Sequence, residues 1–317
     1  MKSTKFALVA ALVLACGAAF AGFPVTDFLP PDVLAALGAA GAALPFAGTF
    51  KNKVTNIQPV APGATATVTL GTGKNAPTLD KLQFILGGTT FNVSHINAIR
   101  GFINGREFYV DGTGTVHNAR RTYLGLNPKV SELVLDFTEP NAKSAIEQNL
   151  SAIPLALCQD FRFELDIASG ASADLTLTAL AHFRAPTNNP FIKKVRKITQ
   201  AFAAGGEQVV YLPNGPSGGK LVRAWIHESA AGNVTAVELR ARNAIGIEGT
   251  RTQLQNSQEA NGLTPQNGVL VLDFIEDGNL AGWFDTGALS EVELKLTGTA
   301  ACTYTVYLEY LDPIGRL

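Results

Sequence analysis

Along most of this chain apolar and polar residues alternate in short runs that stop at glycine, proline or asparagine. That is the pattern of half-buried β-strands joined by tight turns. Ala64-Thr65-Ala66-Thr67-Val68-Thr69-Leu70 alternates and ends at Gly71-Thr72-Gly73, and residues 82–86 are halted by Gly87-Gly88. Residues 99–103 run into Asn104-Gly105, a dipeptide that favours a two-residue hairpin, and 107–110 return. In Leu133-Val134-Leu135-Asp136-Phe137 a period of two puts Leu133, Leu135 and Phe137 on one face and Val134 and Asp136 on the other. Residues 141–149 read as a short helix with Ile146 and Leu150 as its apolar contacts, and strands at 161–167 and 175–183 follow.

The L-V-L-D-F run returns unchanged at Leu270-Val271-Leu272-Asp273-Phe274, 137 positions on. Its surroundings return with it: 82–86 corresponds to 221–226, 99–104 to 237–242, 163–166 to 292–295 and 175–183 to 304–310. The second half has strands at 207–212, 220–227, 235–242, 291–296 and 302–310, and residues 279–284 stand where the first half has its short helix. A period this long means a duplicated domain rather than a solenoid. The shared order of strands, a short helix and more strands points to all-β sandwiches of antiparallel sheets.

Two stretches break the pattern. Lys2 and Lys5 precede an uncharged run at 6–23, and Ala19-Phe20-Ala21 has the form of a signal-peptidase site. That run, with a second apolar stretch at 33–47, fits either a cleaved signal or a retained membrane-facing helix. Between the halves, Phe191, Val195, Ile198 and Phe202 recur at helical spacing, opposite Lys193, Lys194, Arg196 and Lys197. This predicts an amphipathic linker helix over 189–206. Its basic side reads first as the solvated face of a linking helix; the alternative is that this face, with Lys2 and Lys5, contacts anionic lipid headgroups, at about 1 kcal/mol per cation.

Composition narrows the function. A length of 317 residues suits two domains, with 31 glycines and 16 prolines favouring many turns. Only 16% of residues are charged and the net charge is −1, which argues against a sequence-specific nucleic-acid binder. Cys16, Cys158 and Cys302 follow no metal or redox spacing; Cys158 and Cys302 are expected as buried free thiols, with a disulfide between them as the alternative.

Catalytic chemistry finds little support. His95, His117, His182 and His227 form no H-x-H or H-E-x-x-H spacing, so each reads as a structural or surface residue. Gly71-Thr72-Gly73-Lys74 lacks the remaining residues of a phosphate loop, and there is no G-x-S-x-G motif. Asp136 and Asp273 occupy equivalent places in separate copies, which duplication explains without hydrolysis. The chain is expected not to be an enzyme, with no cofactor and no metal.

Several stretches resemble the double jelly-roll major capsid proteins of corticovirus-type bacteriophages with an internal membrane. They are 190–213, 220–227 with 234–239, 99–106 ending in N-G-R, the L-V-L-D-F strand with its short helix, and 158–166. The likeness spans about residues 79–310, and tectivirus capsids and the adenovirus hexon share the plan. It implies two tandem eight-stranded jelly rolls, at 51–188 and 207–317, joined by the 189–206 linker and preceded by the apolar segment 1–50. It further implies a virion location, with homotrimers of near-hexagonal outline that tile an icosahedral shell over an internal lipid membrane. The expected partners are other copies of the chain together with vertex (penton) and minor capsid proteins. Some relatives are stabilised by calcium, but no D-x-D-x-D-G loop occurs here. The second reading, carried by the A-x-A site, is an exported two-domain β-sandwich that binds carbohydrate or a cell surface. The third is an exported hydrolase on a paired jelly roll.

Overall fold

The computed structural model describes residues 48–189, 191–242 and 244–316. The first half contributes β1 (Phe50–Val54), β2 (Ile57–Gln58), β3 (Thr65–Thr69), β4 (Thr78–Gly87), β5 (Ile96–Ile103) and β6 (Arg106–Asp111). Helix α1 (Gly114–Tyr123), β7 (Glu132–Asp136), α2 (Ala145–Asn149), β8 (Ile153–Pro154), β9 (Phe161–Ile167) and β10 (Thr176–Arg184) complete it. The second half begins with β11 (Phe191–Phe202), β12 (Gly206–Tyr211), β13 (Lys220–Glu228), β14 (Val234–Ala241) and β15 (Ala244–Thr250). It continues through α3 (Arg251–Ala260), β16 (Val269–Asp273), β17 (Phe284–Asp285), β18 (Val292–Gly298) and β19 (Cys302–Pro313).

Strand order makes the duplication explicit. In the first half β1-β10-β4-β7 faces β6-β5-β9-β3; in the second β11-β19-β13-β16 faces β15-β14-β18-β12. Each half is therefore an eight-stranded jelly roll, with the short β2, β8 and β17 as additions at sheet margins. The α1 and α3 helices lie 137 positions apart, as do the two L-V-L-D-F strands. Between the sheets of the first roll lies one apolar cluster, including Leu82, Phe84, Leu133, Leu135, Phe137 and Phe163. The second roll encloses another, with Leu221, Leu239, Leu270, Leu272, Leu294 and Val306.

The turn that Asn104-Gly105 predicts is present: Asn104 has φ 54° and Gly105 φ 72°, the left-handed pair that such a hairpin needs. Where the chain enters α2, Ser144 caps it and Glu147 returns a bond to the Ser144 amide, a reciprocal box that starts the helix only at Ala145. That late start turns Ile146 outward (81% exposed), contrary to its expected apolar contact, while Leu150 packs inward.

The linker helix over 189–206 is not what this stretch forms. Residues 191–202 are β11, paired antiparallel with β19 over twelve consecutive residues, and they belong to the second roll. The apolar spacing allowed a helix, but β-branched Ile192, Val195, Ile198 and Thr199 favour an extended chain, and the β19 ladder satisfies its backbone. The apolar segment 1–50 falls, up to residue 47, outside the described residues. Among those that are described, no helix is long and apolar enough to cross a membrane.

Candidate functional site: an ionic seam between the rolls

The two rolls join side by side. Strand β6 meets β11 in a parallel bridge at Tyr109 and Val195, so one ten-stranded sheet runs through both. Around that bridge a charged network is set into an apolar contact, since Ile192, Val195, Trp225, Val271 and Tyr307 of the second roll belong to the same buried cluster as the first roll's core. Arg223, on β13 and 2% exposed, donates through Nε to Asp273 Oδ2 at 2.9 Å. Its Nη1 donates to Glu139 Oε2 at 2.9 Å and to Glu309 Oε2 at 3.3 Å. Glu139 comes from the first roll, Asp273 and Glu309 from the second, so one guanidinium spans the joint.

Lys193 adds a second cation to Glu139, at 2.8 Å from Oε1, and donates to the Thr138 carbonyl at 2.8 Å. From the first roll, Arg120 of α1 pairs with Asp111 and reaches Glu309 Oε1 at 3.9 Å. Its guanidinium also lies over the Tyr307 ring, 4.9 Å from the centroid. Asp111 accepts from the Gly112 amide at 2.6 Å and lies 2.8 Å from His117 Nδ1, while His117 Nε2 lies 2.8 Å from the Val134 carbonyl. Tyr123 closes the far end, its hydroxyl donating to Asp273 Oδ2 at 3.2 Å and its ring edge-on to Trp225 at 5.0 Å.

Burial acts against every charge here, and the partners decide the outcome. Burial pushes the Glu139 carboxyl up, but Lys193 and Arg223 outweigh it and hold it down at about 2. Asp111 follows the same course: burial raises it, and Arg120 and His117 pull it well below the usual carboxylate range. For Asp273 burial wins over Arg223 and the carboxyl is raised. His227, beside Tyr307, is pushed down to about 4 by burial and by Arg120. A charge set of this kind fixes geometry more than it adds stability, since burying it costs nearly what the pairing returns.

The acids singled out by the repeat do not converge. Asp136 on β7 pairs with Lys81 at 3.0 Å in the first roll's outer sheet, and Asp273 pairs with Arg223 in the seam. These are equivalent cross-strand pairs, Lys81 opposite Asp136 and Arg223 opposite Asp273. Neither offers a free carboxylate to a substrate. His95 closes the cap of a short turn and His182 lies 3.3 Å from Gln83 Oε1, so the histidines are spread among structural roles. Cys158 and Cys302 are free buried thiols in different cores, and burial pushes Cys158 up to about 12. Among the described residues, no group of three or more His, Cys, Asp or Glu side chains could hold a metal ion.

The expected lipid contacts need correction. In a strand, neighbouring side chains point to opposite faces. Lys193 therefore meets Glu139, and Lys194 meets Asp312 at 2.9 Å on the other side, both buried. Arg196 donates to the Ser217 carbonyl, and Lys197 is exposed. No cluster of four solvent-facing cations exists on this segment. Lys2 and Lys5 lie outside the described residues.

Most of the seam was missed by periodicity. Arg120, Tyr123 and His117 sit on α1, whose sequence G-T-V-H-N-A-R-R-T-Y carries no apolar stripe because the helix buries polar groups. Its twin α3 did leave a signal: Thr250 and Gln253 form the S/T-x-x-Q capping box.

Comparison with known proteins agrees with this architecture. Residues 51–184 match the family model of the viral coat protein P2 N-terminal domain, and 192–314 that of its C-terminal domain. No curated protein matches the chain in sequence. Among solved structures, the major capsid protein P2 from Bacteriophage PM2 is similar at a TM-score of 0.75 and 18% identity, over 84% of this chain and 97% of that one. A chain from the atomic structure of Sulfolobus Turreted Icosahedral Virus gives 0.62 and 13%, over 84% and 91%. The Faustovirus major capsid protein gives 0.53 and 8%, over 84% and 90%.

Proposed function

This chain belongs to the viral coat protein P2 family, a structural component of the virion, and we propose that three copies close into a capsomer of near-hexagonal outline. Such capsomers would tile an icosahedral shell over an internal membrane. One observation carries the reading: each chain already holds two jelly rolls of matching strand order in a fixed side-by-side relation, locked by the seam around Arg223. Three such chains supply six near-equivalent blocks, which is the requirement for a six-sided tile built from a trimer. Six-sided tiles alone cannot close a shell, so vertex proteins of different symmetry, and minor capsid proteins, are the expected partners. Residues 6–23 and 33–47 are the segments whose composition suits the lipid side.

Negative-stain microscopy of purified particles, with mass spectrometry of their main band, tests the reading. The chain is expected as the dominant shell component, and particles lacking it would end the proposal. N-terminal sequencing of the same band separates retention from export: an intact Met1 or Lys2 end supports a membrane-facing segment, a Gly22 end a cleaved signal.

A further inference from the structure

An asparagine followed by glycine can react without an enzyme. Glycine has no side chain to shield its amide nitrogen from the carboxamide before it, so the nitrogen can reach that carbon. The chain contains four such pairs, at 104–105, 214–215, 261–262 and 267–268. Local sequence does not rank them, because the attacking residue is the same in each. The hydrogen bonds around them do.

Three pairs are each held by two bonds. The Asn104 carboxamide oxygen accepts from the Gln159 amide at 2.7 Å and from the Asp160 amide at 3.4 Å. Asn214 donates through Nδ2 to the Leu212 carbonyl at 3.3 Å, and the Gly215 amide donates to the Leu289 carbonyl at 3.0 Å. Asn261 donates through Nδ2 to the Ser257 carbonyl at 3.0 Å, and the Gly262 amide donates to the Glu259 carbonyl at 3.0 Å. Asn267 differs. Its side chain is exposed and has no hydrogen-bond partner among the described residues, and there the Gly268 amide donates to nothing either. The two are the central residues of a turn closed from the Val269 amide to the Gln266 carbonyl at 3.2 Å, with Gly268 at φ 72°.

We propose that Asn267 is a site of spontaneous covalent modification, converting to aspartate and isoaspartate in the folded chain ahead of the other three. The Gly268 nitrogen gives its proton to water and attacks Cγ of Asn267; the Cγ–Nδ2 bond breaks and ammonia leaves, closing a cyclic imide. Water then opens the ring. Attack at the side-chain carbonyl gives aspartate, and attack at the main-chain carbonyl gives isoaspartate, whose backbone runs through Cβ and is one carbon longer. The position matters because the 261–268 connection reaches the first roll. Leu263 is buried in that roll's cluster, and the Thr264 amide donates to the Tyr123 carbonyl at 2.9 Å. The Gly268 carbonyl accepts from the Glu228 amide at 3.0 Å, immediately before β16 and its L-V-L-D-F run. An extra main-chain carbon in this turn displaces that bond and pulls on the joint, so the modification links the age of the chain to the hold between its rolls.

The test incubates the full chain at mildly alkaline pH, folded and in denaturant, and follows the four pairs by peptide mass mapping with chromatographic separation of isoaspartate. In the folded chain Asn267 is expected to convert about tenfold faster than Asn104, Asn214 or Asn261, the factor for opening two ordinary hydrogen bonds. In denaturant the four rates are expected to draw together. Asn267→Gln, which keeps the amide but lengthens the side chain beyond easy ring closure, is expected to remove the early product. Aged wild type is expected to lose a few degrees of thermal midpoint that aged Asn267→Gln retains. Conversion of any other pair as fast as Asn267 in the folded chain overturns the assignment. A fully converted chain with an unchanged midpoint overturns the link to the joint.

Discussion

The Tyr123 hydroxyl donates to Asp273 Oδ2 at 3.2 Å, a bond from the first roll's helix to the second copy of the L-V-L-D-F strand. Tyr123→Phe keeps the ring against Trp225 and removes only the donor to a buried carboxylate. It is expected to lower stability by about 1–3 kcal/mol, read as a drop in the denaturant midpoint at unchanged slope.

Equivalent substitutions in the two copies should behave unequally. Arg223→Met leaves Asp273, Glu139 and Glu309 without their shared cation in a buried joint, which is expected to cost about 3–5 kcal/mol. Lys81→Met breaks the matching pair where water can reach it, and the expected loss is under about 1 kcal/mol. Equal losses would mean that the seam is not where the rolls are held.

Acid should loosen the joint through His227. Its folded value, about 4, lies below the ordinary 6.5, so the unfolded chain takes up the proton first. Stability is full above about pH 6.5 and falls as pH drops toward 4, by at most roughly 3 kcal/mol. Arg120 and Asp111 are the charges that face it, the first lowering and the second raising its affinity for the proton. In a thermal series from pH 7 to 4, His227→Phe should flatten this limb.

Gly101 is the tightest point of the first core's aromatic cluster. A Cβ there would lie 2.5 Å from Phe163 and 2.9 Å from Phe108, both buried. Gly101→Ala is expected to destabilise by about 1–3 kcal/mol through overpacking. A thermal midpoint equal to wild type would show that these rings can yield.

The strands were legible because each half-buried one writes its exposure into alternate residues, and the duplication because Leu133–Phe137 kept its residues at 270–274. The linking strand was not. Phe191, Val195, Ile198 and Phe202 fit a helical spacing; the β-branched residues lean the other way, and it is the β19 ladder and the burial of Lys193 and Lys194 on opposite faces, each against an acid distant in sequence, that decide for β. For the same reason α1 stayed hidden: its contacts are charged and aromatic, and an apolar count cannot see Arg120 meeting Asp111. The seam itself needed both rolls in place. Within the five-residue run nothing distinguishes Asp136 from Asp273.

The charged network set into the joint has a mechanical consequence. Apolar faces tolerate a small slip, whereas sliding this joint by one residue would part Glu139 of the first roll from Arg223 and Lys193 of the second and leave its buried carboxylate unpaired, at about 3–5 kcal/mol. The two rolls of one chain therefore cannot hinge to follow a curved surface. Whatever bending the finished wall needs must be taken up where separate chains meet, leaving each chain a stiff tile.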